Sequence, residues 1–247
     1  MKVDVVIPTK NGDVHPQLLA TLKTAEWVNK IIITQVAPLN LARKQAVSQA
    51  SGEWVAMIDS DVTVPSNWLS HFESSLTEDV GAACSAPEGT DPAEVAYMRI
   101  LKCFPILHHT DLHLYANNML VRRSLMTDGY KPCPQFWGED LYLGKHIREK
   151  GYRWIVLPKL GVVHHGKIHD SVNAGITYGK NRHYSYKQMF RRSLARFLFV
   201  PWAALTSLSI SVFYVLLLEH TRFFAGWLKS RVSQSKREFK IMEKYMD

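Results

Sequence analysis

Cysteine is scarce in this 247-residue chain. There are three, Cys84, Cys103 and Cys133, scattered and without a C-x-x-C pair. An odd, sparse count excludes a disulfide framework and fits a reducing compartment. It also leaves no sulfur spacing for a structural zinc site. No internal repeat or low-complexity tract interrupts the chain. Met1-Lys2-Val3-Asp4 leads straight into a β-rich run, so no secretory leader is expected at this end. The first 179 residues lack an excess of either sign, with 17 Lys+Arg against 18 Asp+Glu. The whole net charge of +8 therefore comes from residues 180–247, with 13 Lys+Arg against 4 Asp+Glu.

Charged residues are absent from one long stretch, 197–218, which runs 22 residues from Phe197 to Leu218. As a helix it would extend about 33 Å, enough for a hydrocarbon core of about 30 Å. A buried helix of a soluble core is the other reading. Pro201 and the Thr206–Ser211 region permit a kink or a shallow re-entrant path. Both flanks are basic and amphipathic. Upstream, Leu194 and Phe197 follow Tyr186 and Met189 or Phe190 at helical spacing. Downstream, Phe224, Leu228 and Val232 begin a similar stripe among lysines and arginines. Basic helices with an apolar stripe lie readily on anionic membranes. A basic tail could also bind nucleic acid, but that gives no reason for the uncharged run. The expected organisation is a catalytic domain at 1–179, an interface helix at 180–196, a transmembrane or monotopic helix at 197–218 and a basic helix at 219–247. The expected location is the cell membrane, with the catalytic domain facing the cytoplasm.

What the first part does have is a run of strands and helices in alternation. Val3–Ile7, 30–34 and Trp54–Ile58 read as strands; 16–28, 39–50 and 67–76 read as helices; 81–86 and 114–123 read as further strands. This order predicts an α/β fold with a mainly parallel sheet. The third strand stops on Asp59-Ser60-Asp61. Ligands of open α/β sheets bind at the carboxyl ends of strands. Two carboxylates there suit Mg²⁺ or Mn²⁺ held with a substrate phosphate. A plain acidic loop is the bland alternative. Asp59-Ser60-Asp61-Val62-Thr63 also resembles the motif of haloacid-dehalogenase-like phosphotransferases, which expect it near the first strand rather than the third. Further on, Phe136-Trp137-Gly138-Glu139-Asp140 precedes a helical pattern that Gly151 stops. Acids at a helix start complement its dipole. Beside Trp137 they also suit a general base.

Together these residues resemble family 2 glycosyltransferases of the GT-A fold, over roughly residues 3–170. Val5-Val6-Ile7-Pro8-Thr9-Lys10-Asn11 resembles the opening strand and nucleotide loop. Asn40-Leu41-Ala42-Arg43-Lys44 resembles the segment whose Arg lies near the nucleotide. Asp59, Ser60 and Asp61 match the D-x-D. Asn117 and Asn118, on a strand ending in Arg122 and Arg123, resemble the acceptor side. Gly138-Glu139-Asp140 matches the motif of the catalytic base. The resemblance implies Mn²⁺ or Mg²⁺, a nucleoside diphosphate sugar, Asp140 as base and Glu139 beside it. It implies donor contacts from Pro8, Thr9, Lys10, Asn11, Arg43, Asp59 and Ser60. Metal contacts would come from Asp59, Asp61 and one of His164 and His165, after a strand expected at 157–163. Trp137, Asn117 and Asn118 would face the acceptor. Gln188-Met189-Phe190-Arg191-Arg192 resembles the Q-x-x-R-W of cellulose-synthase-like enzymes, with Arg192 where they carry Trp. Gln188 and Arg191 are thereby acceptor candidates, and Arg122, Arg123, Lys180 and Arg191 candidates for a lipid phosphate. Dolichyl-phosphate sugar synthases are similar too, though they often carry Gln where this chain has Thr63. The implied activity is transfer of a hexose, preferably mannose from GDP-mannose, to a dolichyl- or polyprenyl-linked acceptor at a membrane, with no nucleic-acid partner. A UDP-glucose-using or processive transferase, and a non-catalytic nucleotide-sugar-binding protein, are the alternatives.

Overall fold

A computed structural model describes residues 1–9, 11–36, 38–90, 95, 114–131, 139–157, 160–165, 194, 198, 201, 205 and 210–232. The chain divides into two units. The first comprises Met1–Thr90, Leu112–Pro132 and Glu139–Gly166; the second comprises Asp91–Asp111, Cys133–Gly138 and Lys167–Asp247.

The first unit is built on six strands: β1 (Val3–Pro8), β2 (Val28–Thr34), β3 (Trp54–Ile58), β5 (Val80–Ser85), β7 (Asn118–Arg122) and β8 (Arg153–Leu157). Their order across the sheet is β2-β1-β3-β7-β5-β8, and β7 alone runs antiparallel to its neighbours. The expected mixed, mainly parallel sheet is therefore present. A small second sheet holds β4 (Val62–Thr63), β9 (Val163–His164) and β6 (Glu88–Gly89), in the order β4-β9-β6.

Alternation along the strands sends side chains to both faces, and both faces are covered. Val5, Ile7, Ala56, Ile58 and Leu120 share one core with Leu18 and Leu22 of α1 (Pro16–Thr24). Trp68 and Phe72 close that core, Phe72 coming from α3 (Ser70–Glu73). Val6, Val55, Met57, Met119 and Val121 share the other core with Ala46 and Val47 of α2 (Leu39–Ser48). Leu125 of α4 (Arg123–Thr127) and Leu143 and Ile147 of α5 (Glu139–Glu149) complete it. This two-sided burial is why the strands read as unbroken apolar runs. Each fully buried aliphatic side chain contributes about 1.5–3 kcal/mol.

Helix ends follow local chemistry. Pro16 opens α1 at the first position, where its missing N–H costs nothing. Gly151, at φ 82°, ends α5: its N–H donates to Arg148 O and the Tyr152 N–H to Ile147 O. Several elements differ from expectation. The helix expected over 67–76 contracts to α3, because Pro65 and the polar Ser66-Asn67 pair keep its first turn irregular. The strand expected over 114–123 is only β7, and Arg123 begins α4 instead. The last strand of the main sheet is β8, upstream of the expected 157–163, with aromatic and β-branched residues at 154–156 that suit a strand.

In the second unit, α6 (Ile210–Val232) is one continuous helix of 23 residues. Its span runs from within the uncharged run past Leu218 into the basic segment, so no break separates these two expected elements at Leu218. Leu216, His220, Trp227 and Ser230 lie on its buried side. Among the described residues no helix is long and apolar enough to cross a membrane. Much of 197–218 lies outside them.

Candidate active site

The site lies at the carboxyl ends of β1 and β3, where β7 begins. Register places Ile58 opposite Asn118, so Asp59 leaves the sheet beside Asn117, whose carbonyl accepts the Asp59 N–H at 2.9 Å. The chain then turns tightly through Ser60 and Asp61 into β4.

The two acids of the motif have different surroundings. Asp59 is half-buried. The Nη2 of Arg43 donates to its two carboxylate oxygens at 2.5 and 2.8 Å. Arg43 itself is 4% exposed. Burial pushes the Asp59 carboxyl up, and the guanidinium pulls against it. Arg43, expected from the resemblance to lie near the nucleotide, contacts Asp59 from within the protein. Asp61 is half exposed, and His164 Nε2 stands 3.4 Å from its Oδ2. That imidazole holds the Asp61 carboxyl below the usual carboxylate range.

His164 reaches this place through β9, which pairs antiparallel with β4 so that His164 lies opposite Val62. The two candidate histidines are thereby distinguished. His164 faces Asp61. His165 Nε2 lies 3.1 Å from Thr63 Oγ1, and its ring stacks on His15 with centroids 4.1 Å apart. Burial lowers the His165 pKa, with His15 and His164 adding to it. His15 escaped sequence reasoning; the only local signal was its place before Pro16 at a helix start.

A carboxylate at Asp61 with an imidazole at His164 suits Mn²⁺, and the carboxylate without the imidazole suits Mg²⁺. Among the described residues no group of three or more His, Cys, Asp and Glu gathers around one point. Two protein ligands leave room for a diphosphate and water to fill the rest of the shell, which is how Mg²⁺ is ordinarily held. Asp59, committed to Arg43, is the less available of the two acids.

The β1–α1 loop keeps its shape through its own residues. Pro8 ends β1 against Thr34. Thr9 is buried; its hydroxyl donates to Asp13 O at 3.1 Å and accepts the Gly12 N–H at 3.0 Å. It is a brace of the loop, leaving Asn11 as the loop's exposed amide, paired with the Asp13 carboxylate. Gly12 takes φ 91°, a conformation a side chain would strain.

On the acceptor side Asn117 is half-buried at the edge. Asn118 is fully buried: its Oδ1 accepts from Ser85 N and Oγ, and its Nδ2 donates to Ser85 O and Asn117 Oδ1. It ties β7 to β5 and has no face for an acceptor. Asp140, on the first turn of α5, adds its charge to the burial that pushes the Cys84 thiol up to about 12. Cys84 is the next-to-last residue of β5, opposite Met119, so Asp140 bears on the same sheet edge as Asp59. Arg122 and Arg123 do not. Arg122 pairs with Trp54 at the start of β3, bonds Glu53 and Val80 O, and stacks over Trp54. Arg123 Nε donates to Gly52 O. Both lie at the far end of the strand from Asp59, roughly 17 Å or more away along the backbone, too far to act as phosphate ligands of this site. Lys10, Trp137, Lys180, Gln188 and Arg191 lie outside the described residues, as does the side chain of Glu139.

Solved structures of other proteins share this fold. The mannosyltransferase PcManGT from Pyrobaculum calidifontis, in complex with GDP-Man and Mn²⁺, shares the fold at a TM-score of 0.57 and 14% identity, over 95% of this chain and 89% of that one. Residues 1–349 of S. aureus TarS, in complex with UDP-GlcNAc, do so at a TM-score of 0.51 and 13% identity, over 94% and 91%. No curated protein matches in sequence. Residues 32–128, from within β2 to just beyond α4, match the family described as Glycosyl transferase family 2.

Proposed function

We propose that this protein is a metal-dependent, inverting glycosyltransferase that moves mannose from GDP-mannose to a lipid-linked acceptor at a membrane surface. The observation that carries the reading is the pairing of Asp61 with His164 beside the Arg43–Asp59 ion pair, all at the carboxyl edge of the sheet. A divalent ion bound there supplies stabilisation of the charge that develops on a leaving diphosphate. Arg43 opposes the effect of burial on Asp59 and holds it fixed at the turn. Asp61 and His164 present an oxygen and a nitrogen ligand to the ion. Asp140 takes the proton of the acceptor hydroxyl as that oxygen attacks the anomeric carbon from the face opposite the diphosphate. Donor choice rests on analogy of fold with a structure holding GDP-Man and Mn²⁺.

Surface chemistry supports the membrane part. Among the described residues, eight of the eleven exposed large apolar side chains fall between Leu194 and Leu228. Ile210, Tyr214, Val215 and Leu218 share one side of the first turns of α6, with Arg222 and Lys229 following on that side. Apolar residues leading into cations suit insertion beneath anionic headgroups. This side of α6 is distinct from the one that carries His220 and Trp227.

The test is sugar transfer by the purified full chain, with Mn²⁺ and labelled GDP-mannose and UDP-glucose in parallel, into organic-extractable lipid. Chelator-sensitive label from GDP-mannose is expected. Label from UDP-glucose alone would overturn the donor assignment. Donor binding without transfer to any lipid or sugar acceptor would overturn the enzyme reading.

A further inference from the structure

The Ser60–Asp61 turn is gripped by two histidines from different loops. The Ser60 carbonyl accepts the backbone N–H of His15 at 2.8 Å, and the Asp61 carbonyl accepts the backbone N–H of His165, also at 2.8 Å. The two imidazoles lie one on the other, 4.1 Å between centroids and 12° from parallel. His165 is tied back to the next element by Thr63 Oγ1 at 3.1 Å. So the β1–α1 loop, the β3–β4 turn and the end of β9 meet in one stack.

We propose that His15 and His165 are a positioning pair for Asp61, clamping consecutive carbonyls of its turn so that its carboxylate stays beside His164. The inference rests on the proposed function for what Asp61 binds, and on geometry alone for the clamp. Asp61 needs such support because its side chain is half exposed and its one described side-chain partner is His164. Its position must come from the backbone, and consecutive carbonyls held from two sides fix a peptide plane. His15 is a stiff holder: it precedes Pro16, which disfavours the helical region for it, and it stands at φ −52° and ψ 125°.

The ring of His15 acts by stacking. Its Nδ1 is buried and has no hydrogen-bond partner among the described residues. An aromatic carbon ring at position 15 would keep the stack, and an alanine would remove it.

The experiment uses the full chain and the variants His15→Ala, His15→Phe and Thr63→Val. Mn²⁺ affinity is read by spin resonance of the free ion, with and without GDP. Amide exchange over 59–63 is read without ligand. His15→Ala should weaken Mn²⁺ about 10-fold, the cost usual for a group that orients a metal ligand, and speed exchange at 59–63. His15→Phe should stay within about 3-fold of the parent on the same basis. Thr63→Val, which removes only the hydroxyl holding His165, should shift both readouts in the same direction as His15→Ala, and it decides the matter if that variant does not fold. Parent-like affinity and exchange in His15→Ala, or a His15→Phe no better than His15→Ala, overturns the clamp. A parent chain that binds neither Mn²⁺ nor GDP overturns the proposed function instead, while exchange at 59–63 still decides the clamp.

Discussion

Arg43 and Asp59 form a nearly enclosed ion pair at the point where β3 leaves the sheet, with Nη2 at 2.5 and 2.8 Å from the two carboxylate oxygens. Arg43 comes from α2 and Asp59 from the strand end sixteen residues later. Neither charge is well hydrated, so each depends on the other. Arg43→Met should cost about 3 kcal/mol, the low end for a broken buried pair because Asp59 keeps some exposure. Urea unfolding of the single variants and of Arg43→Met/Asp59→Asn would show it. The double variant should be more stable than the sum of the singles predicts. Simple additivity would mean that the two groups act independently.

Asp140 is assigned a proton-transfer role, which is separable from binding. With a hydroxyl acceptor, Asp140→Asn should lower kcat about 10²- to 10⁴-fold and leave donor affinity near that of the parent. With a phosphate monoester acceptor, already anionic, the loss should be small. Near-normal turnover on a hydroxyl acceptor removes Asp140 from this role.

Asp4 offers a test of pH-dependent stability away from the site. It is buried at the start of β1, bonded by Asn29 Nδ2 at 2.8 Å and by Ser51 N at 2.7 Å and Oγ at 3.1 Å. Burial opposes its ionisation, but the hydrogen bonds from Ser51 and Asn29 outweigh it and leave its pKa lowered. A lowered folded pKa means that its stabilisation is complete above the unfolded value of about 3.9 and is lost as pH falls through the folded value. Asp4→Asn should cost about 2 kcal/mol at neutral pH. The gap between the two proteins should begin to narrow as pH falls below about 4 and close as pH passes the lower folded value, read in denaturation curves.

Cys84 should be inert in the folded protein. Burial is the main reason its thiol is pushed up to about 12. Thiolate is the reactive form. Peptide mapping after iodoacetamide treatment at about pH 8, below the free thiol value of about 8.5, should find Cys84 unmodified in buffer and alkylated in urea. Modification in buffer at the rate seen in urea would show that the β5 edge opens readily.

Much of the first unit was legible because its signals are local. Buried strands are short apolar runs, Gly151 ends a helix through its own φ, and Asp59 and Asp61 stand at a strand end by sequence adjacency. The two short strands of the β4–β9 pair were not legible, because two residues carry no periodicity. Nor were the assignments that depend on that pair. His164 and His165 are neighbours with the same chemistry, and only pairing with Val62, about a hundred residues earlier, gives one to Asp61 and the other to Thr63 and His15. Arg122 and Asn118 misled for a related reason. They lie at opposite ends of one antiparallel strand, and its register against β3 puts Arg122 at the far end and turns Asn118 inward to Ser85.

By itself the amino-acid sequence determined the alternation of strands and helices, the acidic turn at the end of the third strand and the cationic, apolar character of 180–247. These depend on residues near one another in the chain, whose patterning survives without knowledge of the fold. Tertiary structure alone decided which acid is paired with Arg43, which histidine meets Asp61, and that His15 stacks on His165. Those assignments rest on strand register and on contacts between distant segments, where a shift of one residue turns a side chain to the opposite face.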